Sequence, residues 1–231
     1  IPSLPAGVAR SEDGGATWQQ VWSETPAGAV AVSPNFDQDE TVFASLTAMS
    51  PSLNARLVIS HDRGETWSGG GQGLCRDRHF ENLLASPGFA RDHTLLAGAW
   101  SDSSLYMSQD GGVTWRAIFP PGGPYCGNSP YGAIYPQFSP DFPDDPTIYT
   151  ATTRGLYASY DAGASWAMLA SNTSYNLAVR RAPETDTPAR RSSGQGSSYL
   201  PDDVHQVFLP LAAVEGSGPP HRPHILFMRA F

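Results

Sequence analysis

The chain has 231 residues, 40% of them hydrophobic, enough to bury a sizeable core, and a formal charge of −8. That charge argues against nucleic acid, which asks for a basic face, and no apolar run approaches the ~20 residues of a membrane-spanning helix. Its 23 Gly and 21 Pro fit many short strands joined by turns, and every one of its 14 basic residues is Arg.

The chain begins at Ile1 rather than at a Met, with no visible signal peptide, which reads as a true N-terminus lying further upstream. Residues 7–10 predict a short strand, and residues 17–22 a strand leaving the phrase SEDGGATW at Ser11–Trp18. Next comes SPNFDQDET at Ser33–Thr41, flanked by the apolar runs 29–32 and 42–44. Both phrases then recur. The first returns as SHDRGETW at Ser60–Trp67, SQDGGVTW at Ser108–Trp115 and SYDAGASW at Ser159–Trp166, so its starts are 49, 48 and 51 residues apart. The second returns at Ser86–Thr94 and Ser139–Thr147, at intervals of 53 and 53. A fixed period near fifty is the signature of a propeller or another repeat architecture.

The phrase S-x-D-x-G-x-[TS]-W has the chemistry of a hairpin turn. Its Asp (Asp13, Asp62, Asp110, Asp161) can accept backbone N–H groups one or two residues on. Its Gly (Gly15, Gly64, Gly112, Gly163) supplies a positive φ without steric cost. Its Trp (Trp18, Trp67, Trp115, Trp166) opens a returning strand and buries a large apolar area. These twelve residues are read as structural, with the tryptophans in equivalent, largely buried positions. In the second phrase, S-P-x-F-x-x-D-x-T, Phe36, Phe89 and Phe142 read as plugs. Asp39, Asp92 and Asp145 read as turn acceptors.

The first phrase resembles the Asp-box, or BNR repeat, of sialidases, sortilin-type receptors, xyloglucan-cleaving glycosidases and photosystem assembly factors. The resemblance covers roughly residues 8–170. It implies an all-β fold, a β-propeller of four-stranded antiparallel blades with each box between the third and fourth strands. It is specific for fold and poor for function. The strands then parse as a partial blade at 1–24 (last two strands), blades at 25–74, 75–124 and 125–171, and the first strand of another at 172–180. In the blade at 75–124 they are placed at 80–86, 94–98, 104–108 and 113–119. The expected whole is an incomplete propeller of about three and a half blades with exposed apolar edges at both ends. Residues 181–231 are read as linker and irregular C-terminal tail, although 204–214 and 224–228 are apolar enough for strands.

Both turn phrases hold their length, so variation concentrates in the second-to-third-strand loops and the connections between blades. In an up-and-down blade these share the face opposite the turns, and scaffolds usually carry function on variable loops. Candidate binding residues on that face are Arg76, Arg78, His79, Glu81, Trp100, Asp102, Tyr125, Tyr131 and Arg154, a mixture suited to a glycan or a protein ligand. Cys75 and Cys126, one period apart, lie in equivalent connections; a disulfide and two free thiols are both open. His221 and His224 are read as a solvated tail, and neither metal nor cofactor is expected.

The favoured reading is a non-catalytic extracytoplasmic scaffold, extracellular or periplasmic as the resemblance implies, that binds or assembles through its variable face. The alternative is a fragment of a sialidase-like or xyloglucanase-like glycoside hydrolase. Sialidase-like chemistry would imply three Arg around a carboxylate, a Tyr–Glu nucleophile pair and an Asp acid. The Arg-Ile-Pro phrase that announces the first of those Arg is absent, and no catalytic residue can be assigned. For a xyloglucanase, Asp77, Glu81 and Asp102 lie on the right face, but no motif singles them out. A sortilin-type receptor is the third class, without the membrane span or cysteine-rich module that would follow the repeats.

Overall fold

Each box is built on a buried serine. In the computed structural model, the Ser11, Ser60, Ser108 and Ser159 hydroxyls are almost wholly buried. Each donates to the box Asp and accepts the N–H of the box Gly, at 2.7–2.8 Å. The Asp carboxylate in turn takes the N–H of the Thr or Ser four residues on at 2.8–2.9 Å and that residue's hydroxyl at 2.5–2.6 Å. The acceptor role of the Asp is as expected, but its main donors lie further along than the Asx-type turn predicts. Both central residues of the turn have positive φ, including the non-glycine Arg63 (61°) and Ala162 (53°) before Gly64 and Gly163.

The structure describes residues 6–76, 78–99, 104–123, 126, 131–132, 134–171, 177–180, 206–208 and 226–230. Around the boxes run β1 (Gly7–Ser11), β2 (Gln19–Trp22), β3 (Ala27–Val32), β4 (Val42–Leu46), β5 (Leu57–Ser60) and β6 (Ser68–Gly70). They continue as β7 (Phe80–Ala85), β8 (Leu95–Ala99), β9 (Leu105–Ser108), β10 (Arg116–Phe119), β11 (Tyr135–Phe138), β12 (Ile148–Thr152), β13 (Gly155–Ser159) and β14 (Ala167–Ser171). Last come β15 (Ala178–Arg180), β16 (Gln206–Phe208) and β17 (Leu226–Ala230). Two one-turn helices, α1 (Phe36–Asp39) and α2 (Phe89–Asp92), form the body of the first two S-P turns. The fold is all-β: three four-stranded antiparallel blades, β3–β6, β7–β10 and β11–β14, between a three-stranded sheet β17-β1-β2 and a pair β15-β16. It is an incomplete β-propeller.

The first strands β3, β7, β11 and β15 touch one another in succession, which places them at the centre. The second strands are buried at every position, because successive side chains point into the two interfaces on either side of a blade. In β8, Leu95 and Ala97 face the preceding blade while Leu96 faces the following one. In β4, Phe43 and Ala44 divide in the same way. The core therefore lies between blades.

One expectation is overturned. The half-blade edge at β1 is covered: β17 pairs along it antiparallel, from Gly7↔Ala230 to Ser11↔Leu226. A segment read as tail thus supplies a strand, and β16 pairs with β15. The apolar periodicity of 224–228 carried that signal, but the missing turn phrases hid which strand it joins. At the other end β14 is exposed at all five positions, as expected of an apolar edge.

The two turn phrases are joined to each other. The N–H of the fourth box residue donates to the carbonyl just before the Thr of the S-P phrase: Arg63 to Glu40 (3.1 Å), Gly111 to His93 (3.0 Å), Ala162 to Pro146 (3.0 Å). Both phrases therefore share one face in every full blade. In the S-P turns, Asp39, Asp92 and Asp145 accept the N–H of Thr41, Thr94 and Thr147 at 2.7–3.1 Å. Phe89 and Phe142 are buried plugs, while Phe36 is half-buried.

Boxes also join blades. Trp67 Nε1 donates to the Val21 carbonyl of β2 at 2.9 Å, and Trp166 Nε1 to the Ile118 carbonyl of β10 at 2.7 Å. Val21 and Ile118 are both the extra residue of a β-bulge, and each stands three residues after a box Trp. A Cβ on Gly64 would sit 3.1 Å from Val21, and one on Gly163 would sit 2.8 Å from Ile118, so the box Gly is needed for this close approach as well as for its φ. Between the first two full blades the corresponding residue is Gly70, and the box docks through backbone instead. There Gly71 donates to Gly112 O (2.9 Å), Gln72 to Val113 O (3.0 Å) and Trp115 to Gln72 O (2.7 Å). Only with this deeper seat is the Trp well buried: Trp115 is 6% exposed, whereas Trp18, Trp67 and Trp166 are half-buried. The expectation of four equally buried tryptophans is corrected accordingly.

Candidate functional site

Opposite the turns, the β4–β5 loop and the β6–β7 connection enclose a depression of about 520 Å³. Met49, Leu53 and Leu74 give it apolar wall, the run Gly70–Gly73 gives it backbone, and Arg76 stands at it. The volume falls in the ordinary range for small-molecule and peptide pockets.

Three ties hold these walls. Glu24, from the β2–β3 connection, accepts the Ser50 hydroxyl (2.9 Å), the Ser52 hydroxyl (2.6 Å) and the Ser52 N–H (2.6 Å). The Ser52 hydroxyl, with its N–H, holds the Glu24 carboxyl below its ordinary range. Arg56, nearly buried, donates to the Thr47 carbonyl at 2.8 Å and to the Arg76 carbonyl, linking loop to connection. Finally, Cys75 and Cys126 form a disulfide with Cα atoms 5.6 Å apart. Of the two states left open by the sequence, the bonded one is present, and it clamps the β6–β7 connection to the β10–β11 connection.

Arg76 is exposed at the depression. Arg78 donates to the Cys126 carbonyl at 3.2 Å, against the disulfide. His79 and Glu81 are exposed where β7 begins. Tyr131 and Arg154 are brought together elsewhere, the guanidinium 5.4 Å from the ring centroid. That ring also packs edge-on against Phe119 (5.1 Å) and Tyr157 (5.9 Å), so Tyr131 is largely spent on holding its loop. Trp100, Asp102 and Tyr125 lie outside the described residues, as do Asp77, His221 and His224. Glu24 was missed by sequence reasoning, because its connection is too short to register as variable.

Among the described residues of these loops and connections, the carboxylates are Glu24, engaged by serines, and Glu81. The box carboxylates are held on the opposite face. Hydrogen bonds from the following Thr or Ser, with the box serine, lower Asp13, Asp62 and Asp161 to about 2. At Asp110 burial opposes ionisation, but the bonds from Thr114 outweigh it and its pKa is also lowered. These are turn carboxylates with their lone pairs in use. Among the described residues no three His, Cys, Asp or Glu are grouped to hold a metal.

The family model of the BNR/Asp-box repeat matches residues 58–68. No curated protein matches the chain. Among solved structures, the GH74 xyloglucanase from Xanthomonas campestris is similar over 74% of this chain and 29% of its own, at 23% identity and a TM-score of 0.44. The GH74 enzyme of Niastella koreensis is similar over 62% and 22%, at 21% identity and a TM-score of 0.44. A structure of YCF48 bound to D1 peptide is similar over 77% and 60%, at 15% identity and a TM-score of 0.47. The chain spans less than a third of the length of these GH74 structures.

Proposed function

We propose that this chain, an Asp-box (BNR) repeat β-propeller protein, is a non-catalytic scaffold that binds a glycan or protein ligand in the depression between its β4–β5 loop and β6–β7 connection. The observation that carries the reading is that this depression is pinned before any ligand arrives, by Glu24, Arg56 and the disulfide. Pre-ordered walls spare the ordering cost of association. Apolar side chains beside the exposed Arg76 suit an extended chain carrying hydroxyl or carboxylate groups. The disulfide supports an extracellular or periplasmic setting. A glycoside hydrolase is the second reading. The distant likeness to both GH74 enzymes and YCF48 does not choose between them.

The test uses the purified chain on an array of immobilised glycans and peptides, with release of sugar from a fluorogenic sialoside and from xyloglucan measured beside it. Binding to an array member that is lost in Leu53→Asp, with no hydrolysis of either substrate, is the expected result. Hydrolysis abolished by Arg76→Ala or Arg154→Ala would replace the scaffold reading with the enzymatic one.

A further inference from the structure

The disulfide that ties the β6–β7 connection to the β10–β11 connection has two unlike ends. Cys75 is 5% exposed and belongs to a core cluster with Leu74, Phe80, Leu83 and Trp115, whereas Cys126 is exposed. A thiolate opens a disulfide by reaching one of its sulfurs, and access decides which. An approach to Cys75 runs through packed core. Cys126 is the end that solvent reaches.

The buried end carries a second feature. The Tyr106 hydroxyl lies 2.8 Å from Cys75 Sγ. A disulfide sulfur has no proton to give, so Tyr106 is the donor. Its side chain is fully buried and packs edge-on against Phe80, with ring centroids 5.5 Å apart, which holds the hydroxyl where it stands. The segment of Cys75 is held as well. Gly71 and Gln72 donate to backbone carbonyls of the next box, Gly112 and Val113, and Arg56 donates to the Arg76 carbonyl. Apolar burial makes a thiolate costly, and a donor aimed at the sulfur offsets that cost. A thiol whose thiolate is stabilised also leaves faster.

We propose that Cys126 is a site of reversible modification by a low-molecular-weight thiol, with Cys75 as the leaving group and Tyr106 as the donor that stabilises it. The attacking thiolate forms a new S–S bond to Cys126 Sγ. The Cys75–Cys126 bond breaks, and its electron pair stays on Cys75 Sγ as a thiolate facing the Tyr106 hydroxyl. Cys75 can then attack the adduct at Cys126, which restores the original bond and expels the small thiol. Alternatively, a second small thiolate attacks the adduct at the small thiol's own sulfur and departs as the small disulfide. Two small thiols are then oxidised, the protein disulfide is reduced, and both cysteines take protons from water. Opening frees the β10–β11 connection and leaves Cys75 seated, because the Arg56 and backbone ties do not pass through the disulfide. It operates whether or not the depression takes a ligand.

The test incubates the folded wild-type chain with reduced glutathione, alkylates the free thiols and maps the peptides by mass spectrometry. Glutathione is expected on Cys126, with the alkyl group on Cys75. The opening rate is then compared in Tyr106→Phe, which keeps the ring and removes the hydroxyl. Opening by excess glutathione should slow about tenfold, the worth of one good hydrogen bond. A hydroxyl that served only packing would give the opposite sign, since a loosened core admits thiols faster. Should Tyr106→Phe fail to fold, the adduct map on the wild type decides alone. Glutathione on Cys75, or equally on both cysteines, overturns the proposal. So does opening that needs enough denaturant to unfold the chain, or that is as fast in folded Tyr106→Phe as in the wild type.

Discussion

The box Asp gives the repeat its name, yet the box Ser carries the greater structural weight. The Ser108 hydroxyl is buried and is the acceptor for the buried Gly112 N–H, whereas the Thr114 groups bound by Asp110 are exposed. The Thr114 donors left by a missing Asp can turn to water and the buried Ser108 hydroxyl can rotate toward another acceptor, whereas the fixed, buried Gly112 N–H left by a missing Ser can do neither. Ser108→Ala is expected to cost about 1–3 kcal/mol, and Asp110→Ala to fall at the lower end of that range, both read from denaturant melts. The box carboxylates also set an acid limit. Their folded pKa lies below the unfolded value, near 2 for Asp13, Asp62 and Asp161 against roughly 4. The stability they contribute is therefore complete above pH ~4 and is lost as pH falls towards 2. Melting temperature should be level from pH 7 to about 5 and drop steeply below 4, and Asp62→Asn should blunt that drop.

At the scale of the element, the sequence showed the strands and left their partners hidden. The strands predicted at 80–86, 94–98 and 104–108 lie within a residue or so of β7, β8 and β9, because apolar runs and turn residues are local signals. The fourth was placed too early, at 113 rather than 116. The box Thr and Trp have strand-like chemistry, but here they are still completing the turn. Pairing of β17 with β1 spans almost the whole chain and depends on no local pattern. The docking of boxes on bulges was half-visible: Val21, Ile118 and Leu169 recur at one offset in the sequence, but only the structure shows a bulge there. This docking predicts that Gly163→Ala is severe, since it combines a φ of 86° with a clash on Ile118. Ala162→Gly, one residue earlier at a φ of 53°, should be neutral or stabilising by up to about 1 kcal/mol. Thermal melts of the two variants separate backbone strain from inter-blade packing.

Across the whole molecule, labour is divided between two faces. One is made uniform by turns hydrogen-bonded to each other and to the next blade; the other is irregular and carries the pinned depression. That division was legible from loop lengths. The depression itself was not, because its walls are held by Glu24 reaching across from another connection and by the Arg56 tie to the Arg76 carbonyl. The most direct measurement pairs one variant from each face, Asp110→Ala and Arg76→Ala, and reads melting and affinity together for a glycan or peptide that the array identifies. Asp110→Ala should lower the melt and leave the affinity of the folded protein unchanged. Arg76→Ala should leave the melt unchanged and weaken binding about tenfold or more. Loss of affinity in Asp110→Ala without loss of stability, with Arg76→Ala binding as the wild type does, would place the function on the box face and contradict the account.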